Sequence, residues 1–283
     1  MSELKRGIGL FHLTMYGVGL ILGAGIYVLL GEAIGLAGNS VWVAFVLGSV
    51  VALFAGLSYA ELSSIFPKAA AEYIFIKNTF KNNFFAFIIG WLTAITSMIT
   101  AATVALGFGG YFSEFLNIPI IISAILLIGI LSIINFIGIR ESSWTNTVFT
   151  IIEVVGLILI IVIGFTVSEP EPVNYFESPT GLTGVIVAFV LIFFAFIGFE
   201  DIANVAEEVR NPKNVIPRAL VLSVMISGII YVLVSLAVVR VINWEDFSSS
   251  AAPLADVAKR GLGMQGHIIF SGIALFAITN TVL

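Results

Sequence analysis

Three of the carboxylates inside apolar runs stand out: Glu153 in Thr150-Ile-Ile-Glu153-Val-Val-Gly156, and the adjacent Glu200 and Asp201 in Phe196-Ile-Gly198-Phe199-Glu200-Asp201. An acid at bilayer depth costs about 2.5–3.5 kcal/mol on insertion scales, so these positions call for an ion, a ligand or a partner helix. The other chemistry on offer is bare backbone. Four glycines fall within the nine residues 17–25. Each costs about 1 kcal/mol relative to alanine in a helix interior. Non-helical backbone survives in a membrane only where protein covers it or it lines a cavity. Gly23, Ala24 and Gly25 therefore have two readings. They break the helix and turn free backbone groups toward a polar ligand, or they let helices approach closely, as Gly19-xxx-Gly23 and Gly31-xxx-Gly35 would. Little else is reactive. There is no cysteine, His12 and His267 are isolated, and no serine–histidine set or phosphate loop occurs, so an enzyme, a bound cofactor and a metal centre are not expected.

The elements that must position these groups follow from composition. The 283 residues are 59% hydrophobic and 10% charged, against about 25% charged in soluble domains. Charges cluster between long apolar runs, and no run alternates with period two as a barrel wall does. The expectation is an all-α integral membrane protein in contact with the lipid bilayer, with no nucleic-acid partner. A span needs about 20 apolar residues. Seven are predicted at 10–36, 41–66, 84–112, 119–138, 146–167, 182–206 and 217–240, with an unfinished eighth from 266. No cleavable signal peptide is expected, because the first apolar run is too long.

Of the 12 Lys and Arg, only Arg240, Lys259 and Arg260 fall on one side of this arrangement. The positive-inside rule then puts the N-terminus in the cytoplasm and the acidic loop at 169–171 outside. Trp42, Trp91, Trp144 and Trp244 fall near span ends, as interfacial anchors do. Alanine-rich residues 68–80 predict a cytoplasmic helix, with Tyr73, Ile76 and Phe80 on one face. A short external helix is predicted near 250–260, opened by Pro253, and Pro217 suits the first turn of the seventh span.

The sixth span repeats the signature of the first: an apolar half-helix meets Gly198 and then two acids. It starts roughly 170 residues later, with five spans between the two starts, so a second unit would be inverted across the membrane. Paired glycine-interrupted spans in two halves point to a transporter binding site, which favours the break over simple packing at Gly23, Ala24 and Gly25.

The motifs Gly23-Ala-Gly-Ile-Tyr27, Gly56-Leu-Ser-Tyr-Ala-Glu61-Leu-Ser-Ser-Ile-Phe-Pro67-Lys68, Phe196-Ile-Gly-Phe-Glu-Asp201 and Glu207-Glu-Val-Arg210-Asn-Pro212-Lys213 together resemble the amino acid–polyamine–organocation superfamily of permeases. Among its members the chain is most similar to prokaryotic relatives of cationic amino acid transporters. The resemblance implies a leucine-transporter-like inverted-repeat helical bundle. Residues 1–168 would be the first five-span repeat. Residues 169–283 would be a partial inverted second repeat, incomplete because the chain stops within an apolar run, as a fragment of a longer permease would. The loop before the cytoplasmic helix is more often Ala-Gly-Gly in the family than the Ala69-Ala-Ala71 found here, a departure that would stiffen it.

The resemblance also assigns roles. The substrate's carboxylate would meet N–H groups at Gly23, Ala24 and Gly25, where a half-helix N-terminus favours anions. Its ammonium would meet the carbonyls of Ile21, Phe194 and Ile197. Phe194, Phe196 and Phe199 would wall or gate the pocket. Glu200 would be a gate or substrate contact, or else hydrogen-bond backbone freed by the break. Asp201, about 100° away on a helix, would face a partner helix if Glu200 faces the cavity. Glu153 stands where several relatives place a lysine. Three roles stay open for it: a proton carrier that biases the first break, a ligand of sodium with Thr279 and Asn280, or a plain interhelical hydrogen bond. The function implied is secondary active transport of an amino acid, cationic or otherwise, with H+ as coupling ion and Na+ still open. A channel, a membrane sensor and an assembly subunit are the competing readings.

Overall fold

The structure, a computed structural model, describes residues 7–137, 143–167, 172–248, 250 and 252–282. The first pass is two helices, α1 (Leu10–Leu22) and α2 (Ala24–Ala37), followed by α3 (Val41–Ile65), α4 (Ala71–Phe80), α5 (Asn83–Leu116), α6 (Ile120–Ile137) and α7 (Ser143–Thr166). The sixth pass is α8 (Leu182–Phe193), a 3-10 turn and the one-turn α9 (Asp201–Asn204); α10 (Pro212–Val238), α11 (Trp244–Ser248) and α12 (Pro253–Val282) complete the chain. Among the described residues there is no β-strand, only an isolated parallel bridge between Ile8 and Val209.

Among the described residues six stretches are long and apolar enough to cross a bilayer, and the shorter Ile120–Ile134 is also apolar. One of the six, Leu10–Ile65, has 56 residues. As a straight helix it would run about 84 Å, far beyond the ~30 Å hydrocarbon core, so it holds two passes. It reverses at Gly38, whose φ of +62° suits glycine. The chain is thus an all-α, multi-pass membrane protein.

Local chemistry sets several boundaries. Asn82 caps α5 by accepting from the Phe84 and Phe85 N–H groups. Pro212, not Pro217, occupies the start of α10, because Asn211 turns the chain with a φ of +51°. Pro217 is therefore inside the helix, a correction to the first-turn placement. Proline at 212 already stands where no N–H partner is needed. The helix expected at 68–80 begins at Ala71, after Ala70 takes a φ of +57°. The short helix expected near 250–260 is present: it begins at Pro253 and ends at Gly263 (φ +68°, ψ −160°), whose non-helical backbone separates it from the last span within α12. The loop at 169–171, Lys5, Arg6, Arg140, the Trp144 side chain and Leu283 lie outside the described residues.

The core is built around α10, which packs on α3, α1 and α7, while α12 fills the angle between α5, α7 and α2. This arrangement brings the interruptions in the first and sixth passes together at the centre of the bundle.

Candidate functional site: a cavity beside two broken helices

The first break is a single residue. Gly23 (φ −49°, ψ −137°) lies between α1 and α2, and its N–H still closes the last turn of α1 on the Gly19 carbonyl. Ala24 and Gly25 belong to the first turn of α2, which narrows the expected break to Gly23. Gly25 serves the other reading, close packing: a Cβ there would stand 2.7 Å from both Cα and Cβ of Ala195. The second break is longer. A 3-10 turn at Phe194–Phe196 gives way to extended Ile197 (ψ 139°) and then Gly198. Gly198 has a φ of +121°, and a Cβ on it would lie 3.1 Å from the Leu20 carbonyl oxygen. The two breaks therefore abut.

Backbone groups freed by the breaks find specific partners. The N–H groups of a helix's first turn have no intrahelical acceptor, and that of Ala24 donates to Thr281 Oγ1 at 2.9 Å. The Tyr231 hydroxyl, fully buried on α10, donates to the carbonyls of Ile21 and Ala195, so its one proton is shared between the two breaks. A carbonyl oxygen has two lone pairs, so Ile21 retains one for another donor. The Phe194 carbonyl accepts from Ile197 N–H at 3.1 Å.

A cavity of about 900 Å³ runs from this junction toward α4. Gly19, Leu20, Ile197, Gly198, Asn280 and Thr281 form its inner end. Tyr59, Glu72, Glu200, Asp201 and Asn204 line one side, and Thr93, Thr96, Ser97 and Thr100 of α5 line another. Among the residues singled out from sequence, Ile197, Glu200, Asp201 and Asn280 border it. Ile21, Gly23, Ala24, Gly25, Phe194, Phe196, Phe199, Glu153 and Thr279 do not. Phe196 is buried edge-on to Tyr231 with ring centroids 5.1 Å apart, and Phe199 lies edge-on to Tyr59 at 5.6 Å. Both brace the break from behind.

Both acids of the sixth pass reach the cavity, contrary to the expected division between cavity and partner helix. The divergence of about 100° holds only within a helix, and Glu200 stands in the turn before α9. Glu200 Oε2 accepts the Gly198 N–H at 2.8 Å, which fixes the shape of the break. Asp201 Oδ1 accepts from Asn204 Nδ2 at 3.1 Å, and Asn204 Oδ1 accepts the Ala71 N–H at 2.9 Å, tying α4 to α9. Of the cavity's lining residues Tyr59 also donates to Glu72 Oε1 at 3.2 Å.

Glu153 is fully buried on α7. Asn280 Nδ2 approaches its Oε1 at 3.5 Å, while Oε2, like the hydroxyl of Tyr27, is buried with no hydrogen-bond partner. Thr279 turns its hydroxyl back onto the Leu275 carbonyl of its own helix, so of the two suggested ion ligands only Asn280 meets Glu153.

Sequence reasoning passed over Tyr231, Thr281 and the α5 hydroxyls. A tyrosine in mid-span needs a hydroxyl partner, and Thr93, Thr96, Ser97 and Thr100 follow the spacing of one helix face; both signals were available.

Comparison with known proteins identifies the family. A family model described as amino acid permease matches residues 8–283. The chain is 32% identical over 279 residues to a branched-chain amino acid permease of Bacillus subtilis, covering 91% of this chain and 60% of that protein. It is 30% identical over 306 residues to cationic amino acid transporter 4 of Mus musculus, covering 100% and 48%. It is 27% identical over 307 residues to a methylthioribose transporter of Bacillus subtilis, covering 100% and 65%. The chain thus spans between about half and two-thirds of the length of these relatives, which are transporters and not enzymes. The chain belongs to the amino acid permease family, within the amino acid–polyamine–organocation superfamily.

Proposed function

We propose that the full-length protein is a secondary transporter that moves an amino acid across the cytoplasmic membrane by alternating access, coupled to protons or working by exchange. The observation that carries this reading is the meeting of two interrupted passes, Gly25 against Ala195 and Gly198 against Leu20, beside a cavity that Leu20, Ile197 and Gly198 border. An α-carboxylate fits the first turn of α2, where Thr281 now satisfies the Ala24 N–H. An ammonium fits the remaining lone pair of the Ile21 carbonyl and its neighbours in the second break.

In this reading residues 1–168 and 169–283 are the first repeat and part of an inverted second repeat, and the N-terminus is cytoplasmic. Glu153 is the proton-carrying group, because its Oε2 is buried and open to a proton without displacing any protein partner. Its link to the cavity runs through Asn280, which touches both.

The test is substrate counterflow in proteoliposomes of the full-length protein. Saturable uptake of labelled amino acid, accelerated by unlabelled amino acid inside, is expected. Ligand binding with no flux would replace the transporter with a sensor, and flux that never saturates would replace it with a channel.

A further inference from the structure

We infer that His267 and Asp256 form a second proton-binding site, outside the cavity, that works as a latch. With the imidazole protonated it pins the short helix Pro253–Gly263 over the C-terminal end of α2; with the imidazole neutral it lets that helix go. The inference rests on the proposed topology only for the side from which the proton arrives, which is the one opposite the N-terminus.

His267, solitary in the sequence, has a partner in the fold. Its Nε2 stands 3.6 Å from Asp256 Oδ1, with the histidine side chain 11% exposed and the aspartate 39%. The two residues lie on opposite sides of Gly263, where the backbone of α12 is not helical, so the pair bridges the joint between the short helix and the last span. The other carboxylate oxygen, Asp256 Oδ2, accepts from Ser250 Oγ at 2.6 Å, and Ser250 Oγ accepts the Ala252 N–H at 3.1 Å. Asp256 is thereby tied to the chain that enters the helix. The helix rests on α2. A Cβ on Gly31 would have Pro253 Cγ at 3.7 Å and the Phe247 and Ser250 carbonyl oxygens at 3.6 and 3.9 Å, and Leu254, Ala255, Val257 and Ala258 are buried. A cleft of about 370 Å³, bordered by Asp246, Ser250, Asp256, Lys259 and Arg260, gives the carboxylate access to water.

A neutral imidazole at this separation makes no good hydrogen bond, since N–H···O contacts run to about 3.2 Å. An imidazolium meets the same carboxylate as an ion pair, whose attraction reaches further. Charge is therefore what fastens the joint. Imidazole is the side chain whose charge ordinarily changes between about pH 5 and 8. The sequence has two, and the other, His12, contacts Thr147 on α7. Because docking brings the carboxylate to the imidazolium, protonation and docking favour each other. The latch is fastened on the acid side of the imidazole range and released as pH rises through it. Among the described side chains, the other titratable groups on the elements around this joint are Lys259 and Arg260 on the short helix, Glu245 and Asp246 on α11, Tyr27 and Glu32 on α2, Tyr111 on α5 and Glu153 on α7. Tyr111 is committed to the Tyr27 carbonyl at 3.1 Å. Glu153 sits at Asn280, about 20 Å along α12 from His267.

The test is hydrogen exchange of the full-length protein in lipid nanodiscs near the two ends of the imidazole range, about pH 5.5 and about pH 7.5. Exchange is read as protection factors, so that its intrinsic pH dependence cancels. A partly exposed ion pair is worth about two- to fivefold in an equilibrium. Protection over residues 254–262 is expected to be greater by about that factor at the lower pH, with no difference in α10. His267→Gln is expected to remove the pH dependence. Asp256→Asn, which keeps an acceptor for Ser250, is expected to remove it as well, and it carries the same test where replacing the buried histidine impairs folding. Equal protection at the two pH values in the wild-type protein overturns the inference. So does a pH dependence that persists in either folded variant, as one carried by Glu153 would. None of these readings involves flux, so the latch and the transporter reading stand or fall separately.

Discussion

Gly25→Ala separates two accounts of the same glycine by the sign of its effect. By helix propensity alone, alanine in α2 is favoured over glycine by about 1 kcal/mol. The packing says the opposite. The new Cβ would meet Ala195 Cα and Cβ at 2.7 Å and the Ala195 carbonyl oxygen at 3.1 Å. Carbon atoms in contact prefer roughly 3.5–4.0 Å, so the overlap approaches an ångström, and two of the three atoms are backbone that no rotamer change can move. Relief requires α2 and the turn at Phe194–Phe196 to separate, which for overpacking costs about 1–3 kcal/mol. For a protein of this size that lowers the unfolding midpoint by roughly 2–4 °C per kcal/mol. Thermal unfolding of the full-length protein in detergent measures it. Gly129→Ala is the control, because a Cβ at that site on α6 meets nothing within 4 Å. Ala195→Gly should restore only part of the loss in the double variant, since the Cα clash remains. A Gly25→Ala protein as stable as wild type, or more so, refutes the contact between the two breaks.

Four further outcomes are expected. Tyr231→Phe removes the hydroxyl shared by the Ile21 and Ala195 carbonyls and should destabilise by about 1–3 kcal/mol, read as a lower midpoint with unchanged expression. Asn204→Ala strips the acceptor from the Ala71 N–H, so hydrogen exchange should rise in α4 while α10 stays protected. Ala70→Gly relieves a left-handed residue (φ +57°) and should stabilise by up to about 1 kcal/mol, measured by thermal unfolding. Glu153→Gln should abolish uptake driven by a proton gradient yet spare counterflow, and gradient-driven uptake at the wild-type rate would remove Glu153 from coupling.

Much of this arrangement was legible because glycine and acid are expensive inside a bilayer. Gly23, Gly198, Glu200 and Asp201 each carry a free-energy penalty that demands a structural reason, and the reason proved to be the pair of breaks. What sequence left unresolved was which glycine does what. Gly23 and Gly25 look alike in a string, and only the position of Ala195 shows that one interrupts the helix while the other admits a neighbour. Hydroxyls were harder still. Thr and Ser in spans bond to their own helix four residues back, as Thr93, Ser97 and Thr103 do, so each is individually unremarkable. Their common direction matters only once an open volume is seen beside them. Tyr231 signalled a need for a partner without naming it, because its two acceptors lie 210 and 36 residues away in the chain.

The short pairing at Ile8 and Val209 has a mechanical consequence. Gly7 and Ile8 donate to the Glu208 carbonyl at 2.9 and 3.1 Å, and Arg210 donates back to Ile8 at 2.9 Å. The leader into α1 is thereby stitched to the strap that leaves α9. Since α9 is also fastened to α4 through Asn204, a displacement of the start of α1 would pull on α9 and, through it, on α4. In the proposed alternating-access cycle these three helices would move as a single leaf.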